Sequence, residues 1–217
     1  MRNVFLGEAH GDDDIARLLG DCGVPFRRFE TDAALAEAVA ARLAARQVGG
    51  WFRGRFEWGP RALGARSILA DARDPAARER VNAKVKQRET FRPLAPAVLA
   101  DEAHRWFDVP PGWSDRLAPF MCGVVGVRPE GRTVLPSVVH VDGTARVQRI
   151  DRPDNPVFHD LVEAFRRATG VGVVLNTSLN LKGEPPCASP AEALALWARS
   201  GLDFLALERC LVERAAA

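Results

Sequence analysis

The apolar residues fall in short runs, and Gly, Pro, Asn or Asp separates almost every run from the next. None approaches the roughly 20 residues of a membrane span. Two periodicities share the chain. Ala95 to Leu99 and Val171 to Leu175 are continuous and apolar, the pattern of buried strands. From Thr31 onward, Leu35, Val39 and Leu43 recur at helical spacing, with Thr31 or Asp32 as cap and Gly49-Gly50 as terminator. Strands interspersed with capped helices define an α/β fold. Asp142-Gly143 between Val138–Val141 and Arg146–Ile150 is a hairpin signal, so the expectation is a twisted mixed sheet flanked by helices.

The remaining elements follow from their punctuation. Residues 12–20 predict a short helix ending at Gly20, and residues 50–56 an extended segment turned by Gly59-Pro60. Asp74-Pro75 opens a helix to about Val85, and Asp101 opens another ending near Asp108. Phe120 to Val127 predicts a buried strand. Asn155-Pro156 starts a helix that buries Phe158, Leu161, Val162 and Phe165 and stops at Gly170. The strand after it runs into a polar turn at Asn176-Thr177-Ser178. Ser189 to Glu192 is a capping box, and a last strand spans about Asp203 to Val212.

Cys22, Cys122, Cys187 and Cys210 are scattered without a CxxC pair, which suits reduced thiols of a cytoplasmic protein. His10, His104, His140 and His159 form no metal-binding pair. The N-terminus turns acidic at Asp12 to Asp14 without an apolar signal core, which also fits a cytoplasmic location.

The formal net charge of +2 conceals a cluster: Arg53 to Arg92 holds eleven bases and five acids, a net of +6 against −4 elsewhere. Three local features bear on what such cations could bind. Gly59 to Ser67 has P-loop spacing but places Ala65 where the lysine belongs, so it is not a Walker motif. Its arginines could bind phosphates through their planar forks or form a solvated basic face. Lys86-Gln87-Arg88, read as extended, puts two cations on one face, whereas a helical reading splays them. Ser178-Leu179-Asn180 at a strand end offers ligand contacts or an Asx turn satisfying its own backbone.

These features occur together in a recognisable order. Gly54 to Asp71, including Trp58-Gly59-Pro60-Arg61-Ala62-Leu63-Gly64, resembles the hallmark of the NodU/CmcH-type O-carbamoyltransferases. Val81-Asn82, Lys86 to Glu89, Phe91 to Pro96, Asn176 to Asn180 and Gly183-Glu184-Pro185 resemble it too. Leu94 and Leu179 stand where the family pattern has phenylalanine. The resemblance spans about Leu6 to Val212 and covers only the family's C-terminal half, a YrdC-like domain. On it, residues 1–30 are a lead-in and 31–217 the carbamoyltransferase C-terminal domain.

The resemblance implies binding of ATP and carbamoyl phosphate, with Mg²⁺ accompanying ATP, to form carbamoyl-adenylate. Lys86, Arg61, Arg92 and Arg146 are the implied catalytic cations; Arg88, Asn176, Ser178 and Asn180 would bind the nucleotide. It also implies an N-terminal partner half of actin-like fold that carries a histidine-ligated metal and moves the carbamoyl group to an acceptor hydroxyl. The competing reading is a non-catalytic YrdC-like module for nucleotide or RNA. Sparse aromatics near the cluster, and no tyrosine anywhere, disfavour RNA.

Overall fold

The computed structural model describes residues 3–112 and 117–214. Its elements run α1 (Asp12–Asp21), β1 (Phe26–Arg28), α2 (Asp32–Ala44), β2 (Gly49–Phe52), β3 (Arg66–Asp71) and α3 (Ala77–Arg80), which continues as a π-helix over Val81–Val85. They continue with β4 (Ala95–Leu99), α4 (Ala103–Trp106), β5 (Val125–Gly126), α5 (Pro129–Val134), β6 (Thr144–Ala145), β7 (Gln148–Ile150) and α6 (Pro156–Thr169). The last are β8 (Val173–Ser178), α7 (Pro190–Arg199), β9 (Phe204–Leu207) and β10 (Cys210–Glu213). Eight strands form one mixed sheet in the order β1-β10-β9-β2-β3-β8-β4-β7. Among the described residues, only β2 with β9 and β4 with β7 pair in parallel.

Both sheet faces are covered, so the central strands are apolar on both. Trp51, Leu69, Val174 and Phe204 face α2 and α6, whose Leu35, Val39, Leu161 and Phe165 are buried against them. Their strand neighbours Phe52, Ile68, Leu175 and Leu205 face the other way, onto Ile15 and Leu19 of α1, Val81 and Val85 of the π-helix, and Leu196 of α7. Each such side chain contributes about 1.5–3 kcal/mol on burial. Residues 12–28 are therefore tied to the sheet, through α1 and through the pairing of β1 with β10.

The caps expected at Thr31, Asn155 and Ser189 form, accepting from Ala34 N, Phe158 N and Glu192 N. Several local expectations are corrected. Gly49-Gly50 does not end α2, which stops at Ala44 with Ala45 as its cap; both glycines lie inside β2. A Cβ on Gly49 would meet the Phe204 ring at 2.0 Å, so close strand packing explains this glycine. The run from Phe120 to Val127 is a 3₁₀ turn (Ala118–Phe120) followed by the two-residue β5. Asp142-Gly143 does turn the chain, but the flanking runs do not pair with each other: β6 joins β5, and β7 joins β4. The last strand is a hairpin, β9 and β10, that turns at Glu208 with a φ of 44°. Asn176 to Ser178 is not a turn but the end of β8, because that segment pairs with β3 through Ser67 to Leu69.

Candidate functional site

The loops that precede β3, β4 and β7 meet the C-terminal end of β8 at one end of the sheet. Lys86 caps the π-helix, its N–H donating to Val81 O at 2.8 Å, and Gln87 is left-handed at φ 50°. Lys86-Gln87-Arg88 is therefore not extended. The left-handed residue, not strand alternation, separates the two cations. Asn82 organises this bend: its amide donates to Thr90 O and Arg92 O, and its Oδ1 accepts from Arg88 Nε at 2.8 Å.

Lys86 is 3 % exposed and has no carboxylate partner among the described residues. Its Nζ donates to Ser178 O at 2.5 Å, Ser178 Oγ at 3.1 Å and Asn180 Oδ1 at 2.5 Å. Asn180 is fixed in turn by donating to Glu184 O. Burial, then the neighbouring Arg88 charge, pushes the Lys86 ammonium down to about 7 from 10.5.

A cavity of about 130 Å³ opens over Lys86, Ser178 and Asn180 and shares Arg88, Arg92 and Ser178 with a second of about 260 Å³. Arg61, Arg146, Asn176 and Thr177 complete the polar lining of the larger one. Neither lining includes an Asp or Glu among the described residues. Arg61 is exposed and has no partner among the described residues. Arg146 is half-buried with its Nε unpaired. Burial, then Arg61 and Arg88, hold Arg146 below its ordinary value; burial, then Arg92, do the same to Arg88. Like charges are thus gathered without internal compensation, apart from Arg92, which sits 3.3 Å from Glu89.

A third cavity, of about 660 Å³, adjoins across Pro60, Arg61, Met121 and Arg146. Trp58, Leu63, Phe120, Met121 and Val124 make it predominantly apolar. Trp58, 70 % exposed, stands at its rim. Sequence reasoning did not find this cavity, because its walls come from loops whose irregular course carries no periodicity.

All eight predicted site residues lie around this end of the sheet, in unequal surroundings. Lys86, Ser178 and Asn180 form one hydrogen-bonded cluster; Arg61, Arg88, Arg92 and Arg146 ring the larger cavity. Asn176 reaches that cavity while 1 % exposed, and its amide donates to Ala62 O and Gln148 Oε1. Most other bases of the cluster are engaged elsewhere. Arg53 pairs with Asp32 and Glu208, Arg73 with Asp71, and Arg80 with Asp74, while Arg66 is wholly buried among backbone carbonyls. Asn82 and Gln148 were missed as supports. Their signal was a polar side chain at a position whose apolar neighbours mark a buried face.

The fold is YrdC-like, a large twisted mixed sheet flanked by helices. It superposes on full-length HypF in its phosphate- and nucleotide-bound form with a TM-score of 0.60 at 19% identity, over 89% of this chain and 24% of that one. On Sua5 of P. abyssi the TM-score is 0.58 at 14% identity, over 86% of this chain and 51% of that one. Residues 40–214 match the family described as carbamoyltransferase C-terminus. The chain belongs to that family. It is 43% identical to nodulation protein NolO of Bradyrhizobium diazoefficiens over 214 residues, 99% of this chain and 39% of that protein. It is also 37% identical to the 3'-hydroxymethylcephem-O-carbamoyltransferase of Streptomyces clavuligerus over 184 residues, 83% of this chain and 34% of that enzyme. The chain thus spans less than half the length of these relatives. No helix among the described residues is long and apolar enough to cross a membrane.

Proposed function

We propose that this chain is the carbamoyl-activating half of an O-carbamoyltransferase, joining ATP and carbamoyl phosphate into carbamoyl-adenylate. The observation that carries the reading is the pair of connected cavities walled by Lys86, Arg61, Arg88, Arg92 and Arg146 with no lining carboxylate among the described residues. A site that holds two polyanions together needs such an excess of cations, and transfer at phosphorus depends mainly on positioning and charge stabilisation. Water releases phosphate from carbamoyl phosphate; a carbamate oxygen then attacks the α-phosphorus of ATP and the bond to pyrophosphate breaks. The arginine forks and the ammonium of Lys86, the most buried of these cations, would hold phosphate oxygens, and Ser178 and Asn180 would orient the carbamoyl group. The adjoining apolar cavity suits the nucleobase. Mg²⁺ would enter on the ATP phosphates, since the lining supplies cations and amides rather than carboxylates.

The names of the relatives support the second half of the reading. A partner half, as a separate subunit or a further part of a longer chain, would pass the carbamoyl group from the adenylate to an acceptor hydroxyl, releasing AMP. The test of the first half is carbamoyl-phosphate-dependent ATP–pyrophosphate exchange. Arg61→Ala and Lys86→Ala should each abolish it; wild-type-like exchange in both variants overturns the assignment.

A second expectation concerns protons. With Lys86 pushed down to about 7, the free site holds it mostly neutral at pH 8. Bound phosphate restores the ammonium, so ATP binding at that pH should take up about one proton. Calorimetric titration in two buffers of different ionisation enthalpy measures this. Proton release, or an equal uptake by Lys86→Met, contradicts it.

A further inference from the structure

The loop between β2 and β3 carries Arg61, and what fixes that loop lies behind the cavity wall. Glu57 is 4 % exposed, and its Oε1 accepts from both Leu63 N and Arg66 N at 3.1 Å. From the opposite side, Gln148 Nε2 donates to Leu63 O at 2.9 Å, and Asn176 Nδ2 donates to Ala62 O at 3.1 Å. Gln148 Oε1 closes the frame by accepting from Asn176 Nδ2 at 2.7 Å. The peptides on either side of Leu63 are thus held at N–H by a carboxylate and at C=O by two amides. Arg61 lies directly before these peptides. Gln148 opens β7 two residues after Arg146, and Asn176 lies on β8 two residues before Ser178.

Neither Glu57 nor Gln148 lines either of the two cationic cavities. Simple loop packing would not need a buried carboxylate whose Oε2 has no partner, nor a glutamine in a strand entry that could hold an apolar residue. Gly64 strengthens the point: it is left-handed at φ 104°, and a Cβ there would meet the Phe158 ring at 2.3 Å. The loop is therefore held in one course from three directions.

We propose that Glu57 and Gln148 are positioning residues of the site, which set the place of the Arg61 guanidinium relative to Arg146 and Ser178. The inference rests on the reading that Arg61 meets substrate phosphates. Its test uses inorganic tripolyphosphate as probe, because binding of that anion needs no reaction. Gln148→Leu and Glu57→Leu should each weaken tripolyphosphate binding about ten-fold in the parent chain and leave it unchanged in an Arg61→Ala background, since residues acting through one group are not additive. Glu57→Gln keeps an acceptor for Leu63 N and Arg66 N and should restore most of the affinity. In pyrophosphate exchange, the leucine variants should lower kcat more than they raise KM for ATP, the mark of misplacement rather than lost ground-state contact.

Should Glu57→Leu not fold, Gln148→Leu carries the comparison alone. Losses that are as large in the Arg61→Ala background overturn the proposal, as does wild-type affinity in Gln148→Leu. Tripolyphosphate binding that is indifferent to Arg61 also overturns it. Arg61-dependent anion binding with the expected non-additivity, but no exchange in the parent chain, would sink the activation reaction and leave this inference standing.

Discussion

Lys86→Met should lower carbamoyl-phosphate-dependent pyrophosphate exchange by roughly a thousand-fold, the scale expected for removing a buried group that stabilises transition-state charge. The same substitution should stabilise the fold at acidic and neutral pH. Lys86 Nζ is offered only neutral acceptors, Ser178 O, Ser178 Oγ and Asn180 Oδ1, and is close to the Arg88 charge. Its folded value of about 7 lies below the ordinary 10.5, so between those values the unfolded chain binds more protons than the native one. Native stability therefore rises with pH across that window, and the penalty for a charged Lys86 is present in full below about 7. Methionine fills the stem's volume and removes the penalty, leaving acceptors that the open cavity can hydrate. Denaturant midpoints for parent and variant at pH 6 and pH 9 measure the effect. The variant should gain stability at pH 6 relative to its difference at pH 9; an equal loss at both would contradict the assignment of Lys86 as a strained functional cation.

What the sequence made legible was local wherever a side chain acts on its own backbone. Thr31, Asn155 and Ser189 cap the helices they announce, because the hydroxyl or amide and the N–H it satisfies lie three residues apart. Strand β4 was legible as a bounded apolar run, whereas β3 was not, since Arg66 and Asp71 at its ends disguise six buried residues. Glu208 likewise hides the turn between β9 and β10, having neither glycine nor asparagine to mark it. The site was legible only through motif order. Nothing in local spacing says that Lys86 meets Ser178 and Asn180, 92 and 94 residues further on, because that meeting is set by sheet order. The charge count could not separate cations that face a ligand from cations that hold the fold. Burial divides them: Arg53, Arg73 and Arg80 face carboxylates, while Arg61 and Arg146 face an open cavity.

Arg66 belongs to the second kind, and Arg66→Met should cost about 1–3 kcal/mol of stability for each carbonyl it leaves without a donor. Its side chain is 0 % exposed and lies in the hallmark run beside Arg61, yet it lines neither cationic cavity. Its Nη1 donates to Arg53 O at 3.0 Å, Gly54 O at 3.2 Å and Ala65 O at 3.0 Å, and Nη2 donates to Glu8 O at 3.4 Å. The guanidinium also stacks 3.6 Å above the Phe52 ring. No carboxylate among the described residues is ion-paired with it, and burial holds it down to about 10 even though Glu57 and Glu208 oppose the shift. Methionine would fill the stem but take the guanidinium donor from Arg53 O and Gly54 O, whereas Ala65 O and Glu8 O keep the N–H groups of Arg53 and Phe56. Lysine restores charge but not the planar fork that reaches several carbonyls at once, so Arg66→Lys should recover less than half of the loss. Urea unfolding with an unchanged m-value reads both variants. An Arg66→Met midpoint close to the parent's would show that water, not the guanidinium, satisfies those carbonyls. The contrast with Lys86→Met is the stronger test: two bases twenty residues apart in one basic segment should shift stability in opposite directions, because one ties several backbone carbonyls together and the other waits, buried, for an anion.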